Sequence, residues 1–273
     1  TPFVQDEDAN AVRRLNQLTG PFILRRMKSE VLRELPPKTE NVRRVELETE
    51  QRKLYLAAVV DAREKLRAAK PEDKMTVFAV LMRLREICCD PRLVADNWTG
   101  SSAKLEACLE LVTEAVAGGH RILLFSQFTS MLELLAKRLD EAGVSHFTLQ
   151  GSTPKPVRAE QVRRFNQGEA DVFLISLRAG GTGLNLTAAD IVIHYDPWWN
   201  LAAQNQATDR AYRIGQRNPV QVYRLIAQDT IEEKIVELQQ AKQSLADTVT
   251  GGADGAILSM NPEQLLQLLG EEA

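Results

Sequence analysis

From residue 101 onward, short apolar runs alternate with segments that carry apolar residues at spacings of three and four. The short runs are rich in Val, Ile and Phe, which is typical of buried strands, whereas the spaced pattern is typical of amphipathic helices. Strands that alternate with helices pair in parallel, so the pattern predicts an α/β fold with helices on both faces of a parallel sheet. The predicted strands are 121–126, 145–150, 171–176, 190–195 and 220–227.

Capping residues predict where two of the intervening helices begin. Ser130 with Glu133 has the spacing of a capping box, which predicts a helix directly after the first strand. Thr153 followed by Pro154 predicts the N-cap and the first residue of the next helix, which ends near Gly168.

The first 100 residues have a different organisation. Residues 22–35 have a helical pattern that two prolines end, and residues 40–48 alternate in part, as a strand would. Residues 49–100 predict two helices. We therefore divide the chain into a lead-in segment (1–48), a helical subdomain (49–100), an α/β lobe (101–248) and an acidic tail with a short helix (249–273).

Composition places the 273-residue chain among ordinary globular proteins, with 44% hydrophobic and 26% charged residues. No apolar run approaches the roughly 18 residues of a membrane span, and no secretory leader is evident, so no membrane association is expected. The three cysteines are an odd number, which favours a reduced, cytoplasmic compartment. Since no CxxC occurs and the three histidines are scattered, we predict no metal site.

Charge is unevenly distributed along the chain. The last 45 residues hold nine acidic residues and two lysines, a net charge of −7, although the whole chain carries only −3. The preceding 228 residues therefore carry +4, which leaves room for a basic surface that faces a polyanion.

The carboxyl ends of the strands are the place to look for a ligand, because parallel sheets bind ligands there. Ser126 and Gln127 follow the first strand and could donate hydrogen bonds to phosphate, or could simply end the strand. Gly151, Ser152 and Thr153 follow the second strand. They could present free N–H groups to an anion, cap the next helix, or do both.

Later loops carry further candidates for phosphate binding. SLRAGGTGLNLT, at 176–187, combines Arg178 with three glycines, so its amides could cradle phosphate, although a simple tight turn is the alternative. The two tryptophans that follow Pro197 could stack on bases, but we favour packing at a domain edge. The chain lacks the G-x-G-x-x-G fingerprint after its first strand and has no Walker A sequence, which argues against a stand-alone nucleotide-binding enzyme.

An arginine stripe completes this edge of the sheet. We predict a helix from Trp199 through Arg213, on which Arg210, Arg213 and Arg217 share one face. Such a stripe is either a solvated surface or a phosphate clamp. Four phosphate-suited loops at the same edge favour the clamp.

These motifs together resemble the C-terminal half of the Swi/Snf-family DNA translocases, which are superfamily-two helicase-like ATPases. The resemblance extends from about residue 20 to 248. It is carried by FILRRMKSEVLRELPPKTE (22–40), LMRLREICCDPRLV (81–94), ILLFSQF (122–128), LQGST (149–153), LISLRAGGTGLNLTAADIVIHYDPWWN (174–200), QATDRAYRIGQ (206–216) and TIEEKIVELQQAK (230–242). Two departures from the family pattern are ICCDP, where an Asn-His pair is common, and Tyr212, where histidine is common.

The resemblance implies a RecA-like fold for the α/β lobe, a helical protrusion at 49–100, and a role for each candidate residue. Arg210 and Arg213 would be catalytic arginines that reach across to ATP on the other lobe. The implied nucleotide-binding residues are Gly181, Thr182, Gly183, Gln206 and Asp209. The implied DNA-binding residues are Ser126, Gln127, Gly151, Ser152, Thr153 and Arg178.

On this interpretation the chain supplies half of an ATP site. ATP and Mg²⁺ would be held mainly by an N-terminal RecA-like lobe of the same polypeptide, so the chain alone is expected to be inactive. The expected partners are double-stranded DNA, that lobe and DNA-bound proteins. The expected location is cytoplasmic, with the nucleoid, in a bacterium or nuclear in a eukaryote. A non-catalytic interaction lobe is the alternative.

Overall fold

In the computed structural model, which describes residues 35–177, 179, 183–246 and 260–270, six strands form one parallel sheet. Their bounds are β1 Lys38–Val45, β2 Ile122–Ser126, β3 His146–Leu149, β4 Val172–Ser176, β5 Ile191–His194 and β6 Val220–Ala227. They are ordered β1-β6-β5-β2-β4-β3 and every pairing is parallel. The predicted parallel-sheet α/β fold is confirmed.

Eight helices accompany the described strands, and a 3₁₀ turn follows the second helix at Pro91–Leu93. Their bounds are α1 Thr49–Ala68, α2 Lys74–Cys89, α3 Ala103–Ala117, α4 Thr129–Glu141, α5 Lys155–Asn166, α6 Leu201–Thr208, α7 Ile231–Ala246 and α8 Pro262–Leu268. Over the described ranges, none of these helices has the length and apolar character needed to span a membrane. The predicted helical pattern at 22–35 and the glycine linker at 251–255 lie outside the described residues, apart from residue 35.

Alternating side chains of the strands enter two separate cores, as the two-residue period of a strand requires. Ile122 and Leu124 of β2 pack with α3 and α4 on one face of the sheet. Leu123 and Phe125 pack with α5 and α6 on the other face. Because both faces are covered, the central strands are apolar throughout, which is why they appear in the sequence as continuous apolar runs.

The helical pair α1–α2 packs with α7 and α8 around a third core. Leu66 of α1 and Leu81 of α2 are almost completely buried there. Tyr55 fixes the start of α7, because its hydroxyl oxygen accepts a hydrogen bond from the backbone N–H of Ile231 at 2.7 Å. The helical pair is therefore attached to the end of β6 through α7.

The strand expected near residues 40–48 is an edge strand of the sheet. All eight residues of β1 pair with β6, from Lys38 opposite Val220 to Val45 opposite Ala227. The segment that precedes the helical pair thus forms part of the same sheet as the α/β lobe. The division of the chain at residue 48 stays a prediction.

The capping box predicted at Ser130 and Glu133 is wrong. Helix α4 begins at Thr129, and Phe128 occupies the N-cap position without a side-chain cap. The turn before the helix is closed by Ser126, whose hydroxyl oxygen accepts a hydrogen bond from the Phe128 N–H at 3.1 Å. The chain therefore turns from strand to helix before Ser130 is reached.

Candidate functional site

A cleft of about 390 Å³ lies at the carboxyl edge of the sheet, between the segment after β4 and the segment after α6. The first segment contributes Gly183, Leu184 and Asn185. Helix α6 contributes Gln206, and the segment after it contributes Asp209, Arg210, Arg213 and Ile214. The structure thus brings together both predicted catalytic arginines and three of the predicted nucleotide-binding residues.

The arginine stripe does not lie on a helix. Helix α6 ends at Thr208, and the residues that follow form consecutive turns, which we call the arginine turn (209–216). Within the arginine turn the backbone of Gly215 has φ = +103°, a conformation that other residues rarely adopt. The predicted helix through Arg213 is therefore wrong, although Arg210 and Arg213 still line one cleft.

Hydrogen bonds to neighbouring segments fix the arginine turn. The carbonyl oxygen of Arg210 accepts from the N–H of Leu186 at 3.0 Å. Gln216, which is buried, donates from Nε2 to the carbonyl oxygens of Ala189 and Ala211 at 2.7 and 3.1 Å. Its Oε1 accepts from the N–H groups of the next two residues at 2.8 and 2.9 Å. The position of the arginines is thus defined by the backbone before a ligand binds.

The two arginines of the cleft differ in burial. Arg210 is 5% exposed, and both its burial and the nearby charge of Arg213 lower its pKa. Arg213 is exposed, and its Nη1 lies 3.5 Å from the carbonyl oxygen of Leu184. Because the two like charges repel, the cleft favours a ligand that carries negative oxygens.

Only part of the glycine loop (176–187) lies within the residues that the structure describes. Arg178, Gly181 and Thr182 lie outside the described residues. Gly183 lines the cleft, and a Cβ added to it would meet no atom within 4 Å. The space beside its backbone is therefore open to a ligand.

The predicted DNA-binding residues after β2 are directed into the protein. Ser126 and Gln127 are both buried. The Ser126 hydroxyl donates to Asp196 Oδ1 at 2.6 Å, and the backbone N–H of Gln127 donates to the same oxygen at 3.1 Å. The side-chain oxygen of Gln127 accepts from Arg85. In this conformation both residues organise the end of the strand, and DNA contact by them stays a prediction.

The predicted DNA-binding residues after β3 lie at the surface. Gly151 and Ser152 are exposed. The expectation that Thr153 caps the next helix is wrong, since α5 begins at Lys155 and Pro154 occupies the N-cap position. The hydroxyl of Thr153 instead accepts from the Gln150 N–H at 3.0 Å and closes the turn. These three residues therefore present a short, accessible turn at the sheet edge.

Sequence reasoning missed Arg85 and Asp196, which are fully buried and joined by an ion pair of 3.1 Å. The guanidinium carbon of Arg85 lies 4.1 Å from the ring centroid of Trp199, so this tryptophan packs within the domain as expected. The available signal was the presence of charged residues, Arg85 among them, in the largely apolar helix KMTVFAVLMRLREICC, because a buried arginine needs a specific partner.

The chemistry of the cleft fits phosphate better than a metal ion. Arg210 and Arg213 supply the positive charge, whereas Asp209 is its one carboxylate. Over the described part of the chain, no group of three or more His, Cys, Asp or Glu residues could hold a metal ion.

Comparisons with known proteins find two domain families along the chain. Residues 103–215 match the helicase conserved C-terminal domain, and residues 1–93 match the SNF2-related domain. A putative ATP-dependent helicase/translocase of Bacillus subtilis is 39% identical over 276 residues, which is 98% of this chain and 30% of that protein. The chain spans about a quarter to a third of the length of the curated relatives that it matches.

Solved structures show the same fold. The SWI2/SNF2 ATPase core of Sulfolobus solfataricus in complex with double-stranded DNA has a TM-score of 0.73 and 30% identity, covering 100% of this chain and 59% of that one. The separate C-terminal domain of the Sulfolobus solfataricus SWI2/SNF2 ATPase has a TM-score of 0.71 and 27% identity. The match covers 86% of this chain and 100% of that domain.

Proposed function

This chain belongs to the Swi/Snf family of superfamily-two helicase-like proteins as a C-terminal lobe, and we propose that it completes the ATP site of a translocase on double-stranded DNA. The observation that carries this proposal is the convergence of Gly183, Gln206, Asp209, Arg210 and Arg213 on one cleft. Two distant stretches of sequence meet there, and both bear groups suited to phosphate.

Within this proposal, Arg210 and Arg213 act as arginine fingers. ATP is bound mainly by the N-terminal lobe, and closure of the two lobes brings both guanidiniums to the γ-phosphate. Charge develops on the phosphoryl oxygens in the transition state, and a positioned arginine stabilises that charge. The hydrogen bonds of Gln216 support this role, because they hold the arginine turn in place before closure.

DNA lies along the carboxyl edge of the sheet in the same proposal. The exposed turn of Gly151, Ser152 and Thr153 is open to the phosphate backbone, and residues 1–228 together carry a net charge of +4. Contacts of this kind position the protein on DNA with little preference for base sequence. Cycles of closure and release move these contacts along the duplex, and DNA-bound proteins are the substrates that are displaced. We propose a location wherever that DNA lies, the bacterial nucleoid or the nucleus.

The proposal is tested in a polypeptide that carries both lobes. Arg213→Ala is expected to lower kcat for DNA-stimulated ATP hydrolysis by about 10³-fold. Arg217→Ala, an exposed arginine just beyond the arginine turn, is the matched control and is expected to retain activity close to wild type. The chain alone is expected to show no turnover. Full activity of Arg213→Ala would refute the arginine-finger role, and absence of any ATPase in the two-lobe protein would favour a non-catalytic interaction lobe.

A further inference from the structure

Arg85 on helix α2 is fully buried and holds two strand-end loops with one guanidinium. Its Nη2 donates to Asp196 Oδ2 at 3.1 Å and to the carbonyl oxygen of Pro197 at 2.6 Å. Its Nη1 donates to the side-chain oxygen of Gln127. The first two partners follow β5, and the third follows β2.

Aromatic rings from the same two loops complete the surroundings of Arg85. The guanidinium carbon lies 4.1 Å from the ring centroid of Trp199 and 5.3 Å from that of Phe128. The planar guanidinium suits this environment, because it can form hydrogen bonds in its plane while its faces contact rings. A lysine would keep the charge but lose the fork.

Asp196 transmits the position of Arg85 to the loop after β2. Its Oδ2 pairs with Arg85, while its Oδ1 accepts from the Ser126 hydroxyl and the Gln127 N–H. A carboxylate at this depth needs a countercharge. Arg85 therefore determines how Asp196 orients the Ser126–Gln127 segment.

The loop after β5 leads in the other direction, towards the arginine turn. It runs through Asn200, whose side chain caps α6 by accepting from the Ala203 N–H at 2.8 Å. Helix α6 carries Gln206 into the cleft and ends directly before the arginine turn. One guanidinium thus joins the segment predicted to follow DNA with the segment that positions the arginines.

We propose that Arg85 is a positioning residue through which the helical pair α1–α2 couples DNA binding to ATP hydrolysis. This inference rests on the proposed function. Stability alone does not account for the arrangement, because a buried ion pair contributes little net stability compared with an apolar replacement of similar volume. The hydrogen-bond partners of Arg85 instead lie in two loops, after β2 and after β5. Coupling requires that these two loops keep their relative position.

The test compares Arg85→Lys with Lys104→Arg in the two-lobe protein. Lys104, on the neighbouring helix α3, is the matched control. Like Arg85, it is fully buried and forms an ion pair, in this case with Glu232. Arg85→Lys is expected to lower the ratio of DNA-stimulated to basal ATPase by about tenfold, with KM for ATP unchanged. Lys104→Arg is expected to leave that ratio at the wild-type value, whatever it does to Tm. A wild-type ratio in Arg85→Lys would overturn the proposal.

A second readout keeps the two proposals distinguishable. In Arg85→Lys, amide hydrogen exchange is expected to quicken at 126–128 and 196–200 together, but not in the Lys104→Arg control. Unchanged exchange in either segment would refute the positioning role, even if the two-lobe protein shows no DNA-stimulated ATPase. Should Arg85→Lys fail to fold, Trp199→Leu removes the ring that lies over the guanidinium and keeps the hydrogen bonds of Arg85. Unaltered DNA stimulation and exchange in that variant would overturn the proposal.

Discussion

The side chain of Gln216 donates a hydrogen bond to the carbonyl oxygen of Ala211 at 3.1 Å, across the turn that carries Arg213. A second bond from the same nitrogen reaches Ala189 at 2.7 Å, so one amide group connects the arginine turn to the segment before β5. A neutral, buried side chain and the backbone geometry thus position the turn that carries both arginines.

Replacing this amide is expected to loosen the arginine turn. Gln216→Leu removes all four hydrogen bonds of the side chain and leaves buried backbone groups without partners, which should destabilise the fold by about 2 kcal/mol or more. The ATPase activity of the two-lobe protein should also fall at temperatures where the variant is still folded. Steady-state kinetics measures the activity, and urea unfolding measures the stability.

Gln51→Leu provides the control for this prediction. Gln51 is also buried, and it donates to the carbonyl oxygen of Ile87 at 2.8 Å in the helical pair, far along the chain from the cleft. This variant should lose stability and keep its kcat. An equal loss of kcat in both variants would show that Gln216 acts through general stability.

Stability should fall as the pH drops below neutrality, through His194. Burial, together with the charges of Arg224 and Lys38, lowers the pKa of His194 to about 3, and its Nε2 lies 2.9 Å from the Thr208 hydroxyl. Since the folded pKa is below the unfolded value, the neutral ring stabilises the fold above about pH 6.5, and this contribution decreases as the pH falls. Between pH 7.5 and 5 the loss should be about 2 kcal/mol.

His194→Gln isolates this effect from other titrating groups. The amide can replace Nε2 at Thr208 but does not titrate, so the free energy of unfolding of the variant should depend less steeply on pH. Urea unfolding at pH 7.5 and pH 5 measures both proteins. Identical pH dependence in the two proteins would show that His194 does not cause the acid sensitivity.

Removing only one partner of the Lys104–Glu232 ion pair should strongly destabilise the fold. Both side chains are fully buried, and Glu232 also accepts from the Ala227 N–H at 2.8 Å. Burial raises the pKa of Glu232. Lys104→Met leaves that carboxyl without its countercharge and should destabilise the fold by about 3–5 kcal/mol. Adding Glu232→Gln should recover part of the loss, and a double variant as unstable as Lys104→Met would contradict this explanation.

DNA binding should weaken steeply with salt and depend little on base sequence. If backbone phosphates supply most of the contacts, log K falls linearly with log [salt], and a few contacts correspond to a tenfold or greater loss between about 50 and 200 mM. Fluorescence anisotropy with duplexes of unrelated sequence measures both properties. Affinity that is insensitive to salt, or that differs strongly between the duplexes, would argue against backbone recognition.

The sheet could be predicted from the sequence because its strands are buried on both faces and therefore appear as continuous apolar runs. The helix predicted through Arg213 ends at Thr208, and residue spacing carries no information on the contact by which the Arg210 carbonyl oxygen accepts from the distant Leu186 N–H. Ser126 and Gln127 are predicted as ligand contacts from their place after a strand and from the family resemblance, and that role stays a prediction, but their buried hydrogen bonds could not be predicted. Their partner Asp196 lies in the loop after β5, 70 residues beyond Ser126, and only the tertiary structure brings it near.

The pairing of β1 with β6 determines how the lobe bears mechanical tension. Tension applied at Lys38 and directed along the strand axis acts parallel to β1, whose eight residues are all in register with β6. Hydrogen bonds along a parallel pair are evenly spaced, so such a pull loads them in shear and at the same time instead of opening them one by one. The attachment of this lobe to the preceding chain therefore resists force best along the direction in which β1 runs.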